Sequence, residues 1–168
     1  TVDAKDSNTS EHSFRVSEYS VAIAKRLQYS KEKCENLRQM ALLHDIGKIG
    51  IPDAILNKPG RLTDEEYAVM KTHVTRGGEI LKDFTMIDNV SVGALYHHER
   101  YDGSGYPDGL EGAQQTMFTR ILHVADVYDA LTSRRPYKEP YAPYEATEYL
   151  MGGCGIMFDR EVVETLLK

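Results

Sequence analysis

The chain has 168 residues, with 20 lysines and arginines against 26 aspartates and glutamates and a net charge of -6. That length suits one domain with one core, and the acidic balance argues against a broad face for nucleic-acid polymers or an anionic membrane surface. Hydrophobic residues make up 41% and charged residues 27%, which excludes wholesale disorder; no apolar run approaches the ~20 residues of a membrane span, and no signal-peptide pattern is present. Cys34 and Cys154 stand alone, without the spacing of a thiolate metal site or redox pair, and fit a reduced, cytoplasmic setting. The sequence opens on Thr1 rather than Met, and residues 1–168 are expected to be a single domain excised from a longer protein.

In chain order, His12, Val16, Tyr19 and Ile23 recur at helical spacing and predict a first helix over residues 11–27, with His12 on the core-facing side. Ser30 caps a second helix, whose face carries Cys34, Leu37, Ala41 and His44 and which is expected to end at Gly47. Residues 48–60 read as a connector with one short helical turn near Asp53–Leu56. Thr63 and Glu66 form a capping box for a single helix running to Leu81 past His73. A fourth helix begins near Ile87 and ends on His97 and His98, followed by a glycine-rich loop, residues 99–109. A fifth helix, about residues 116–133, carries Asp126 in an otherwise apolar stretch. After a connector over 136–143, Pro143 starts a helix that Ala142 caps poorly, and Asp159 caps a last helix to Leu167. With no strand-like alternation and no internal repeat, the fold class is all-α, a compact bundle of about seven helices.

His12, His44, Asp45, His73, His97, His98 and Asp126 lie on apolar faces or at helix ends. Buried singly without partners, each would cost a few kcal/mol; a shared metal centre satisfies them together. Imidazole and carboxylate without thiolate suits Fe, Mn, Zn or Co. Seven candidate ligands exceed the needs of one ion, so two are implied, with Asp45 as the natural bridge because it follows His44 directly.

The strings His44-Asp45-Ile46-Gly47-Lys48-Ile49-Gly50-Ile51-Pro52-Asp53, His97-His98-Glu99-Arg100-Tyr101-Asp102-Gly103-Ser104-Gly105-Tyr106-Pro107 and Val124-Ala125-Asp126-Val127-Tyr128-Asp129 resemble the HD-GYP domain. This is a branch of the HD metal-dependent phosphohydrolases whose members hydrolyse cyclic di-GMP in bacteria. The likeness runs from about His12 to Asp159. It implies one ion on His12, His44, Asp45 and Asp126 and another on Asp45, His73, His97 and His98, both divalent transition metals, most simply Fe or Mn, with Zn, Co or Ni as occupants of a purified sample. It further implies Lys48 at the scissile phosphate, Arg135 and Lys138 on the substrate's phosphates, and Tyr106 beside a guanine. Arg100 either touches the substrate or pairs with Glu99. Some members carry a glutamate four residues before the first histidine as ligand to a third metal; here Asn8 stands there, so two metals are expected.

The expected function is therefore hydrolysis of cyclic di-GMP by in-line attack of a hydroxide bridging the ions, opening the ring to linear pGpG and, after a second cut, GMP. Asp45 and Lys48 carry the catalysis. Alternatives are another substrate such as cyclic GMP-AMP, and a non-hydrolysing sensor or partner-binding module acting through the Gly105-Tyr106-Pro107 loop. Gly103, Gly105 and Gly109 are expected to supply positive φ, His123 to be structural or superficial, and Asp129 to support a ligand or pack helices rather than coordinate.

Overall fold

The computed structural model describes residues 9–135 and 138–168. Among them are nine α-helices: α1 Thr9–Arg26, α2 Lys31–Leu43, α3 Asp53–Leu56, α4 Asp64–Lys71, α5 His73–Leu81, α6 Val90–Tyr96, α7 Met117–Thr132, α8 Pro143–Gly152 and α9 Arg160–Leu167. Two 3-10 turns, Ile46–Gly50 and Gly112–Gln114, complete the order, and the described residues contain isolated bridges but no strand. No helix among them is long and apolar enough to cross a membrane.

The all-α expectation holds, and the predicted starts are built as the sequence indicates. Ser30 Oγ accepts from Lys33 N, Thr63 and Glu66 form the reciprocal capping box, and Asp159 accepts from Glu161 N. Ala142, with no capping oxygen of its own, instead donates its backbone N–H to Glu145 Oε2 at 2.7 Å, so the helix begins with half a box. The helix count exceeds seven for two reasons. Asp53–Leu56 forms a full short helix, and the expected helix over 63–81 breaks at Thr72 into α4 and α5. The second helix also ends at Leu43 rather than Gly47, passing through Asp45 (φ -98°, ψ 11°) into the 3-10 turn. The fourth helix starts at Val90, after Asn89 in the left-handed region.

α1 packs against α2 and α7, and α5 against α6 and the 3-10 turn. Val16, Ile23, Leu37, Leu122, Leu150 and Phe158 are among the side chains sealed between them. One close approach positions the site. Gly47, in the 3-10 turn directly after Asp45, lies so near the start of α5 that an added Cβ would stand 1.8 Å from the His73 carbonyl oxygen and 2.5 Å from Gly77 N. Only a hydrogen fits, and backbone cannot yield as a flexible side chain does.

Gly47→Ala should therefore cost at least about 2 kcal/mol by overpacking, read as a lowered urea midpoint. Gly152→Ala, where nothing lies within 4 Å, should instead gain a few tenths to about 1 kcal/mol. Equal midpoints for the two variants would refute the close-approach reading.

Candidate metal centre

Five elements converge on one buried point. α1 delivers His12, the end of α2 delivers His44 and Asp45, the start of α5 His73, the end of α6 His97 and His98, and the middle of α7 Asp126. All seven sequence-predicted ligands come together, in two groups: Asp45, His73, His97 and His98, and His12, His44 and Asp126, with the ligand atoms of each group within 4.8 Å of one another.

Asp45 belongs geometrically to both. Its Oδ1 lies 3.4 Å from His73 Nε2 and 3.5 Å from His97 Nε2, while Oδ2 lies 3.4 Å from His44 Nε2 and 3.9 Å from His12 Nε2. Asp126 Oδ1 faces the second group alone, 3.0 Å from His12 Nε2 and 3.9 Å from His44 Nε2. A carboxylate that turns one oxygen to each set of imidazoles is the geometry a bridging ligand requires.

The imidazoles are oriented from behind. His44 Nδ1 donates to the Ala41 carbonyl at 2.5 Å, His73 Nδ1 to Met70 at 2.8 Å, and His97 Nδ1 to Ala94 at 3.0 Å and Gly93 at 3.1 Å. Each proton is thus placed on Nδ1, leaving the Nε2 lone pair aimed inward. His44, His73 and His97 have buried Nε2 atoms with no hydrogen-bond partner. A buried nitrogen left so costs stability unless something electrophilic meets it. His12 is held differently, Nδ1 donating to Asp129 Oδ2 at 2.6 Å. Over His98 the Tyr106 ring is stacked at 5.0 Å and 20°.

Electrostatics point the same way. Burial would raise the Asp45 and Asp126 carboxyls, but the imidazoles around them, with Lys48 beside Asp45, hold both well below the usual carboxylate range. Burial pushes His44 down to about 4 and His98 well below its ordinary value. Burial also lowers His12, yet Asp126 and Asp129 outweigh it and raise the group to about 9. Ionised carboxylates amid inward lone pairs are a donor set for a cation. Both cysteines are spent elsewhere, Cys34 Sγ on the Tyr29 carbonyl and Cys154 Sγ on Leu150. The residues present fit a divalent ion of the kind that takes nitrogen and oxygen.

The expected substrate contacts are placed less uniformly. Lys48 Nζ sits 2.9 Å from Asp45 Oδ2, at the edge of the cluster. Tyr106 borders His98 and has the Lys71 ammonium 5.7 Å from its ring centre. Arg135 and Lys138 are exposed, paired through their backbones in the turn after α7, and among the described residues neither touches the cluster. Arg100 is exposed. Asn8 lies outside the described residues, as do Pro136 and Tyr137.

Some supporting residues were not legible as such. Glu99 is fully buried and its carboxylate accepts from the backbone N–H groups of Asp108 (2.7 Å), Gly109 (3.1 Å) and Leu110 (2.9 Å); it fastens the loop rather than pairing with Arg100. Gly105 is not at positive φ, unlike Gly103 and Gly109; it is small because a Cβ there would meet the His98 oxygen and Arg100 nitrogen at 2.4 Å. His123 is buried and donates from Nδ1 to the His97 carbonyl at 3.0 Å, so it is structural and not superficial.

A family model for the HD domain matches residues 2–162. The cyclic di-GMP phosphodiesterase response regulator RpfG of Xanthomonas campestris pv. campestris is 45% identical over 170 residues, covering 99% of this chain and 45% of that protein. The 3'3'-cGAMP-specific phosphodiesterase 1 of Vibrio cholerae is 43% identical over 169 residues, covering 99% of this chain and 39% of that protein. This chain thus spans less than half the length of either. Among solved structures, the HDG"Y"P protein Bd1817 of Bdellovibrio bacteriovorus superimposes with a TM-score of 0.77 at 25% identity, over 95% of this chain and 51% of that one. The helical order, the converging histidines and aspartates and these likenesses agree: the chain belongs to the HD domain family, in its HD-GYP branch.

Proposed function

We propose that this domain hydrolyses cyclic di-GMP to linear pGpG, and by a second cut to GMP, using two divalent ions, most simply Fe or Mn, shared through Asp45. The observation that carries the reading is the Asp45 carboxylate, one oxygen turned to His73 and His97 and the other to His44 and His12, with Lys48 Nζ 2.9 Å away. Bound ions would lower the pKa of a water to near neutrality and draw in phosphate oxygens.

The chain's own residues do the rest. In our reading, His12, His44 and Asp126 would hold one ion, His73, His97 and His98 the other, and Asp45 would serve both. Water oxygen adds to phosphorus in line with the ribose 3'-oxygen, the P–O3' bond breaks, and a proton ends on that oxygen. Lys48 offsets the charge gathering on the phosphoryl oxygens. Arg135, Lys138 and Arg100 are exposed and meet the substrate's outer phosphate and ribose side, while Tyr106 forms the wall beside a base. We place the domain in the cytoplasm, as one self-contained unit of a longer protein, with the Gly105-Tyr106-Pro107 loop open to partner proteins. Hydrolysis of 3'3'-cGAMP is a second reading, favoured by the 43% identity to a phosphodiesterase specific for it.

Protein loaded anaerobically with Fe(II) or Mn(II) should convert cyclic di-GMP to pGpG, identified by mass, faster than it converts 3'3'-cGAMP. Binding without any linear product from either would overturn the enzyme reading in favour of a sensor. Lys48→Ala should lower turnover by about 10²–10³-fold, as loss of one charge-stabilising donor does, with metal content unchanged; full turnover would remove Lys48 from the reaction. Stripping the ions with a chelator should lower thermal stability: an ion at 100 times its Kd contributes ~2.7 kcal/mol, which for a domain of this size is roughly 5–10 °C by calorimetry.

A further inference from the structure

Asp129 stands one helical turn beyond Asp126 on α7 and is 1% exposed. Its oxygens are fully engaged. Oδ2 accepts from His12 Nδ1 at 2.6 Å and from Arg15 Nη2 at 3.2 Å, and Oδ1 accepts from Arg15 Nε at 2.6 Å and from Ser133 Oγ at 2.9 Å. Arg15 follows His12 by three residues on α1, so both reach Asp129 from one helix face.

His12 is thereby set apart. His44, His73 and His97 end their Nδ1 bonds on neutral carbonyls that belong to the preceding turn of their own chain segment. His12 ends its bond on an anion carried by a different helix, 117 residues away in sequence. A charged acceptor makes the opposite nitrogen a stronger donor and fixes the ring more firmly than a carbonyl does. The arginine fork holds that acceptor in one orientation by two near-parallel N–H bonds.

We propose that Asp129, oriented by Arg15, is a positioning residue that sets the ring orientation and donor strength of His12. The ion on the His12, His44 and Asp126 side then depends on the α1–α7 contact, and the ion on the His73, His97 and His98 side does not. The proposal rests on the two-ion reading above. It makes the two halves of one centre separately tunable, the first through a helix–helix contact and the second through turns local to its own ligands.

The test is metal content, independent of turnover: equilibrium dialysis against graded free Mn(II) under anaerobic conditions. The unsubstituted chain should bind two ions. Asp129→Asn, similar in shape and without charge, should weaken one of them about 10–100-fold and leave the other at its original affinity, and adding His73→Ala should abolish the remaining one. Arg15→Gln should weaken the same ion by a smaller factor, and Arg15→Lys should recover only part of that loss. Fewer than two ions in the unsubstituted chain would overturn the two-ion reading itself. Two ions there, but unchanged affinities in both Asp129→Asn and Arg15→Gln, would overturn the role of Asp129 alone. An equal loss of both ions would show a general scaffold effect and also overturn it. The Arg15 side chain is 36% exposed, so if Asp129→Asn does not fold, Arg15→Gln decides by the same criterion.

Discussion

Three histidines of the cluster occupy the same kind of position: the first residue or two after a helix stops. His44 follows α2, His73 follows α4 and Thr72, and His97 follows α6. A helix end leaves its last carbonyls short of N–H partners, and in all three places Nδ1 donates to the carbonyl three residues back, beside a backbone N–H at Ala41 and at Met70. One bond therefore does two jobs. It adds a donor to a backbone acceptor at the helix end, and it fixes the tautomer so that Nε2 faces inward as a lone pair. Each ring thereby closes against a helix end, and the inward nitrogens of the centre are the consequence.

Bringing those three helix ends together is then a packing problem. The 3-10 turn after Asp45 must lie against the start of α5, and Gly47 permits an approach at which a Cβ would stand 1.8 Å from the His73 carbonyl oxygen. The break at Thr72 follows from the same demand. A continuous helix over 63–81 would carry His73 as an interior residue, its i−4 hydrogen bonds intact and its ring fixed to the helix face. With α4 ended at Lys71, the Met70 carbonyl accepts from both the Thr72 backbone N–H and the His73 ring.

This explains which parts of the molecule the sequence discloses. The cluster residues are legible because each is a polar residue on an apolar helix face or at a helix end, as Asp126 is between Ala125 and Val127, and caps are legible because Thr63 and Glu66 act within one turn. The broken helix is not, since nothing between Thr63 and Leu81 violates helical periodicity and the reason for the break lies across space at Gly47. Glu99 is likewise hidden: a charged residue beside an arginine suggests an exposed pair, and only the fold reveals a buried carboxylate collecting three backbone N–H groups. Asp129 was open to inference in part. Its spacing of three from Asp126 places it on the same helix face, but whether it coordinates or supports depends on His12 meeting it from a helix far away in the chain.

The Glu99 arrangement also bears on selectivity. The carboxylate fixes residues 108–110, and the loop it closes returns Tyr106 to His98, with the Tyr106 N–H 3.3 Å from the His98 carbonyl and the rings stacked. A wall built this way is rigid and aromatic, and it stands immediately beside a ligand. Under the proposed function that wall would lie along a flat base. The chain carries a net charge of -6, which opposes long polyanions, whereas the proposed function would rest on the local field that bound ions and Lys48 would set beside two carboxylates. Net charge and the local field of the cluster are thus separate quantities, and the two can be altered independently.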